Sequence, residues 1–331
     1  MKKHHIDCIS VMAVKNLATW IGDNVSPLSL MFKTIAITAL LALGAAQPVL
    51  AQTDAPEAPV SDIDEIITNN KMRAQTGSKS KYSISNSFSY AGGSLEDPLG
   101  SVRPNISGAT GSTDVALLSG GIGLRYALSV QNALYANVGV RWITPLAGLQ
   151  KPANYNGDKW DADNPGISFQ HVYRWGKVQS ALQASETFFT NSNLLRLGFL
   201  TSWGVSQNNV VEIGNTGLSF GLTASAGYAV FTKSDAADEA HQSDFNFSLL
   251  PFLEYKITQR LDVNTSFNLF SFQHLRTANV GTYQRQIVTQ SFGFGYEVYR
   301  DFYIGPGLLW IPGKLAADTT LVSLSATFNL F

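Results

Sequence analysis

Apolar side chains fall on alternate positions from about residue 80 to the end of the chain, in runs too long for ordinary strands. Between Leu218 and Val230 the apolar set is Leu218, Phe220, Leu222, Ala224, Ala226, Tyr228 and Val230, with Ser219, Gly221, Thr223, Ser225 and Gly227 between them. The same pattern runs through Phe245, Phe247, Leu249, Leu253, Tyr255 and Ile257, and through Phe292, Phe294, Tyr296 and Val298. Successive side chains of a strand point to opposite faces, so a period of two makes one face apolar and the other polar. The second face decides the class. A soluble sheet solvates it with charged residues, but here it is mostly Ser, Gly, Asn and Thr, and only 14% of the chain is charged, against about 25% in a typical soluble domain. A closed barrel in lipid reverses the arrangement, with apolar residues outward and small polar ones inward. No run after residue 53 approaches the roughly 20 apolar residues of a membrane helix. The predicted fold is therefore all-β, a closed antiparallel transmembrane barrel.

Twelve strands are expected, at 80–92, 113–129, 132–146, 166–175, 177–189, 194–206, 218–232, 244–258, 261–275, 288–299, 302–312 and 319–331, with ten as the alternative count. Barrels of this kind have short turns on one side and longer loops on the other. The predicted gaps alternate in that way except at one pair, where 190–193 is too short and 207–217 too long. Pro251 and Pro306 each remove a ladder donor, which places them at bulges or near a rim.

The chain of 331 residues divides further at its start. Met31-Phe32-Lys33 precedes an uncharged run from Thr34 to Thr53, and Val49-Leu50-Ala51 has the small-residue form of a cleavage site. These are the marks of a secretory signal peptide over 31–51, with a short buried helix as the alternative, and residues 1–30 read as an over-extended start. Cleavage after Ala51 would remove the single cysteine, Cys8, and leave 19 basic residues and 22 acidic ones of the original 23 and 24. Residues 52–79 read as a disordered polar leader. The alternative is a short plug helix over Ser61–Arg73, weakly capped by Ser61 and Asp64. Residues 80–331 form the barrel.

Trp142 and Trp310 fall at the predicted outer strand ends, and Trp175, Trp203, Tyr255 and Tyr296 toward the inner ends, as two interfacial girdles. With the signal segment, the alternating strands and the terminal run Leu321–Phe331, the chain resembles the bacterial outer-membrane β-barrel proteins and is porin-like. The resemblance implies a Gram-negative outer membrane, contact with its lipids, and assembly by the barrel assembly machinery, for which the terminal Phe331 is the signal. The apolar set Val322, Leu324, Ala326, Phe328 and Leu330 stands one residue out of register with it.

On the inward face, Arg125, Arg174, Glu254, Lys256, Asp262 and Glu297 are expected near the inner strand ends, and Arg141 and Arg196 near the outer ends. Two readings stand: opposed charges that set a transverse field across an open pore, or ion pairs that close a narrow barrel. Asn137, Asn264 and Asn268 serve either one, as pore lining or as plug contacts. The leading function is a channel for passive diffusion of small polar solutes or ions, and the alternative is a closed barrel acting through its external loops in structure or adhesion. A lipid hydrolase using His241 and Ser243 is the third reading, and it lacks an orienting acid on a rigid element. The near-neutral charge excludes nucleic-acid binding through a basic field, and one histidine per strand gives no metal site or cofactor.

Overall fold

The computed structural model describes residues 62–106, 114–146, 159–232, 242–278 and 281–331. The 1–30 extension, the 31–51 signal segment, Ser61 and His241 lie outside the described residues. Fourteen strand segments follow in chain order: β1 (Tyr82–Ser94), β2 (Leu117–Ala127), β3 (Asn132–Ile143), β4 (Trp160–Trp175), β5 (Val178–Phe188), β6 (Phe199–Glu212), β7 (Leu218–Phe231), β8 (Ser243–Lys256), β9 (Leu261–Phe267), β10 (Phe270–Leu275), β11 (Tyr283–Arg285), β12 (Gln290–Tyr299), β13 (Phe302–Trp310) and β14 (Leu321–Leu330).

All pairings among the described strands are antiparallel, and the sheet closes into a ring. Strand β14 returns to β1, from Ile84 opposite Leu330 to Ser94 opposite Leu321. Strand β9 joins β8 to β12. The ring so formed has twelve members, with β10 and β11 continuing two of them past a break. The ten-strand count is set aside.

That break has a cause in the sequence. Strand β8 pairs with β10 as far as Leu249 opposite Phe270, and with β9 from Phe252 opposite Ser266. Between them stands Pro251, which has no N–H to donate to that side. Pro306 acts similarly: the β12–β13 ladder is interrupted between Gly293–Gly307 and Tyr296–Ile304.

Two strand boundaries correct the sequence reading. Strand β4 starts at Trp160, not at 166, because Asn164 and Pro165 form a bulge opposite the Asn137–Gly139 step and break the alternation that marks a strand. Strand β6 spans Phe199–Glu212, not 194–206. Its second half carries Gln207 and Asn209 on the outward face, where polar residues are unexpected. There the Gln207 amide donates to the Tyr173 hydroxyl at 2.8 Å, and Asn209 accepts from Ser180 at 2.8 Å. With these limits every connection alternates as a barrel requires. Turns on one side run from two residues (176–177, 300–301) to five (213–217), and connections on the other side are longer.

The outward face is apolar. Leu124, Ile167, Val205, Phe220, Leu253 and Phe294 are all exposed on it. Among the described residues no helix is long and apolar enough to cross a membrane. The buried apolar cluster lies elsewhere, among Ile63, Ile66, Ile67 and Met72 of the N-terminal segment and Val172 and Val210 of β4 and β6.

Candidate functional site

Residues 62–80 form a plug inside the barrel at its turn end. Two helices make it up, α1 (Ile63–Ile66) and α2 (Asn70–Thr76), so the disordered-leader reading is corrected. The single helix over Ser61–Arg73 is corrected as well. The N-cap of α1 is Asp62, whose carboxylate accepts from the Asp64 N–H at 3.0 Å. The N-cap of α2 is Asn69, whose side-chain oxygen accepts from the Met72 N–H at 2.9 Å. Helices of four and seven residues are far below the roughly 12–15 needed for stability in water, so the barrel must hold them.

It does so mainly through backbone groups that a short helix leaves without partners. Gln179 accepts from the N–H groups of Thr68 and Asn69 at 2.7 and 3.0 Å. Arg174 donates to the Ile66 carbonyl at 2.9 Å, Tyr135 to that of Thr76 at 3.1 Å, and Asn329 to that of Ala74 at 2.7 Å. Arg125 donates to the carbonyls of Ser78 and Ser80 at 3.0 and 3.1 Å. Gly77 ends α2 with a φ of +94°, and a Cβ there would lie 2.6 Å from the Arg125 side chain. Glycine meets both demands, the left-handed backbone and the close approach.

Side-chain pairs complete the attachment. Arg73 meets Glu297 at 2.6 Å, Asn69 donates to Glu254 at 2.8 Å, and Arg300 meets Asp64 at 2.7 Å. Lys79 also pairs with Asp64, at 2.9 Å, and with Asp62. Burial works against the Asp64 charge, but the hydrogen bonds from Arg300 and Lys79 outweigh it and hold the carboxyl below the usual carboxylate range. The hydrogen bond from Lys79 lowers Asp62 in the same direction.

The inward charges therefore do not face one another across open water. Arg125, Arg174, Glu254 and Glu297 hold the plug. Lys256 meets Glu212 at 3.1 Å, and Glu212 also accepts from Thr68 of the plug at 3.1 Å. Asp262 is almost wholly buried and accepts from the Tyr303 hydroxyl at 3.0 Å and from Asn264 at 3.2 Å. Gly295 leaves room for that contact, since a Cβ there would lie 1.6 Å from the Tyr303 oxygen. Arg141, near the loop end, pairs with Asp161 at 3.1 Å. Arg196 is a correction: it is exposed at the end of a short helix, Ser192–Arg196, which links β5 to β6 outside the strand where a lumenal position was expected.

Above the plug lies a cavity of about 720 Å³, with Asn69, Lys71, Met72 and Thr76 as its floor and Asn137, Asn264, Gln170, Gln183 and Asn208 on its wall. A second cavity, of about 420 Å³, is lined by Asn246, Asn268 and Gln286 beside the Pro251 break.

Of the aromatic residues, Trp142 and Trp310 stand at the loop ends of their strands, and Trp142 stacks on Trp160 at 4.1 Å between ring centres. Trp175, Tyr255 and Tyr296 stand toward the turn ends and are exposed. Trp203 does not. It pairs with Tyr228 in the loop-end half, because β6 starts at Phe199. Phe331 follows the last residue of β14 and is exposed. Ser243 donates to the Phe245 carbonyl at 3.1 Å.

Several plug-contact and cavity-wall residues were not singled out in the sequence. Gln179, Tyr135, Gln170, Gln183 and Asn329 share the inward parity of their strands, and that is the one signal that marks them. Arg300 sits in a two-residue turn and carries no local signal.

A closed ring leaves no strand edge, and its exterior is apolar where water would otherwise meet it. The fold therefore defines a transmembrane β-barrel of the outer-membrane type. Among solved structures, the chain is similar to an outer membrane channel from Pseudomonas putida F1, with 12% identity and a TM-score of 0.48 over 77% of this chain and 97% of that one. It is also similar to a KdgM porin in complex with disordered oligogalacturonate (7% identity, TM-score 0.40, 75% of this chain and 99% of that one). A third is outer membrane phospholipase A from Escherichia coli (11% identity, TM-score 0.35, 81% and 98%). No protein-family model matches the sequence, and no curated protein matches it.

Proposed function

We propose that the protein is an outer-membrane channel for passive diffusion of small polar solutes or ions, with residues 62–80 as a plug in its periplasmic mouth. The observation that carries this reading is the polar cavity of about 720 Å³ directly above the plug. A barrel built only as a wall fills its interior with side chains, whereas small residues such as Ser85, Ser87, Gly121 and Gly123 leave part of this wall open. The short turns face the periplasm in barrels of this type, which puts the plug on that side. The apolar exterior meets membrane lipid, and the terminal Phe331 serves the assembly machinery. The inward arginines and acids act as the plug's holdfast, so the conformation described is the closed one.

A closed barrel acting through its loops is the second reading, and the occupied mouth favours it. Planar bilayers separate the two. Conductance steps from the full-length protein support the channel. Silence from both the wild type and an Arg300→Ala variant, in which the plug loses an attachment, supports the closed barrel.

A further inference from the structure

The cavity above the plug is chemically uniform in a way that bears on what enters it. Among the described residues its only charged lining residues are Lys71 and Glu254. They are opposite in sign, and Glu254 is already engaged by Asn69. The wall is built from side-chain amides and hydroxyls contributed by strands all round the ring: Ser87 from β1, Asn137 from β3, Gln183 from β5, Asn208 from β6, Asn264 from β9 and Thr327 from β14. Some of this hydrogen-bonding capacity is unused. The side chains of Ser87, Asn137, Ser206 and Thr327 have no hydrogen-bond partner among the described residues, whereas Gln183 donates to Ser168 at 3.0 Å and keeps its oxygen free.

An amide offers a donor and an acceptor side by side, and a hydroxyl is both at once. A wall of such groups matches a solute that also carries both. The cavity's two charges, Lys71 and Glu254, act on each other and are opposite in sign, so an ion leaving water finds no net counter-charge to replace its lost solvation. Met72, Leu250 and Phe252 add apolar surface to the same cavity, suited to the C–H faces of a ring. The volume lies within the range of about 300–1,000 Å³ typical of small-molecule sites.

We infer that this chamber is a binding site for an uncharged polyhydroxylated solute of mono- to disaccharide size. The inference rests on the channel reading and sharpens its solute class from polar solutes and ions to neutral ones. Asn137 and Gln183 are the contact residues, facing the cavity from β3 and β5.

Equilibrium dialysis of the detergent-solubilised full-length protein against labelled sucrose tests it, with gluconate and glucosamine as charged competitors. The expected result is saturable sucrose binding with a dissociation constant on the order of 1 mM, displaced by unlabelled sucrose or glucose and not by the charged sugars. Asn137→Leu and Gln183→Leu are each expected to weaken it about three- to ten-fold, the size of one lost neutral hydrogen bond. Asn137→Asp keeps the volume, and is expected to weaken sucrose binding while leaving the heat-modifiable gel mobility of a folded barrel unchanged. Absence of saturable sucrose binding by folded wild-type protein overturns the inference, as does displacement by gluconate equal to that by sucrose. Bilayer conductance of the same preparation keeps the two readings apart. Conductance without sucrose binding overturns the site and spares the channel; sucrose binding with silence from both the wild type and Arg300→Ala supports the site and overturns the channel.

Discussion

Arg300 ties the turn between β12 and β13 to the plug through the Asp64 carboxylate and the Gly77 carbonyl, the latter at 3.0 Å. Both partners of the ion pair are partly solvated, at 20% and 27% side-chain exposure, so the pair is worth nearer 1 kcal/mol than the larger values of buried ions. Arg300→Ala is therefore expected to shift the plug toward release about five-fold, read as a rise in channel open probability. The pH dependence follows from the Asp64 shift. Its carboxyl is held below the unfolded value of about 3.9, so its contribution is present above that pH and is lost as the pH falls through the lower folded value. The expectation is a plug unaffected by Asp64 protonation between about pH 5 and 8, with release setting in below about pH 4. Reactivity of a cysteine placed at Ile66, followed with a water-soluble thiol reagent, measures this. Reactivity that rises between pH 8 and 6 would contradict it.

At the scale of the strand, parity governs cost. Val205 and Ser206 are neighbours near the middle of β6, the first exposed on the outward face and the second lining the cavity. Val205→Arg is expected to destabilise the barrel by about 2–4 kcal/mol, the cost of a cation at the centre of the lipid face, and Ser206→Arg by much less, since it faces water. Denaturant unfolding of the two variants in lipid vesicles checks the difference. The parity of β6 and β7 was legible from residues alone wherever alternation was unbroken. It was illegible at Asn164–Pro165 and at Gln207–Asn209 for a common reason. A bulge and a pair of outward amides both interrupt the pattern, and only the neighbouring strands supply what makes them tolerable: a register step at Asn137 in one case, and the Tyr173 and Ser180 hydroxyls in the other. The misplacement of Arg196 and Trp203 followed from that boundary. Pro251 and Pro306 were readable as ladder defects, but the division of one strand into β9 and β10 was not.

In the whole molecule, the barrel and its plug depend on each other unequally. The ring is closed by its own ladders, whereas the plug draws its partners from Gln179, Arg125, Arg174, Tyr135, Asn329 and Arg300 in six separate places. Deleting residues 62–79 is therefore expected to leave the barrel folded by gel mobility and circular dichroism, and to raise single-channel conductance several-fold. An unchanged conductance would show that the plug does not set the passage. An unfolded barrel would show that it is part of the fold.

The alternation of apolar and small polar residues determined the class of this protein without help from contacts: strands, lipid outside and a polar interior. That information is local, because a period of two is carried by each strand separately. Only the tertiary structure decided that the interior is occupied, since α1 and α2 are too short to announce themselves and gain their hydrogen bonds from residues that are more than a hundred positions away in several cases. It also decided what the lumenal charges do. A list of inward arginines and acids reads equally as the walls of a pore or as a holdfast, and the choice lies in whether the plug or open water stands opposite them.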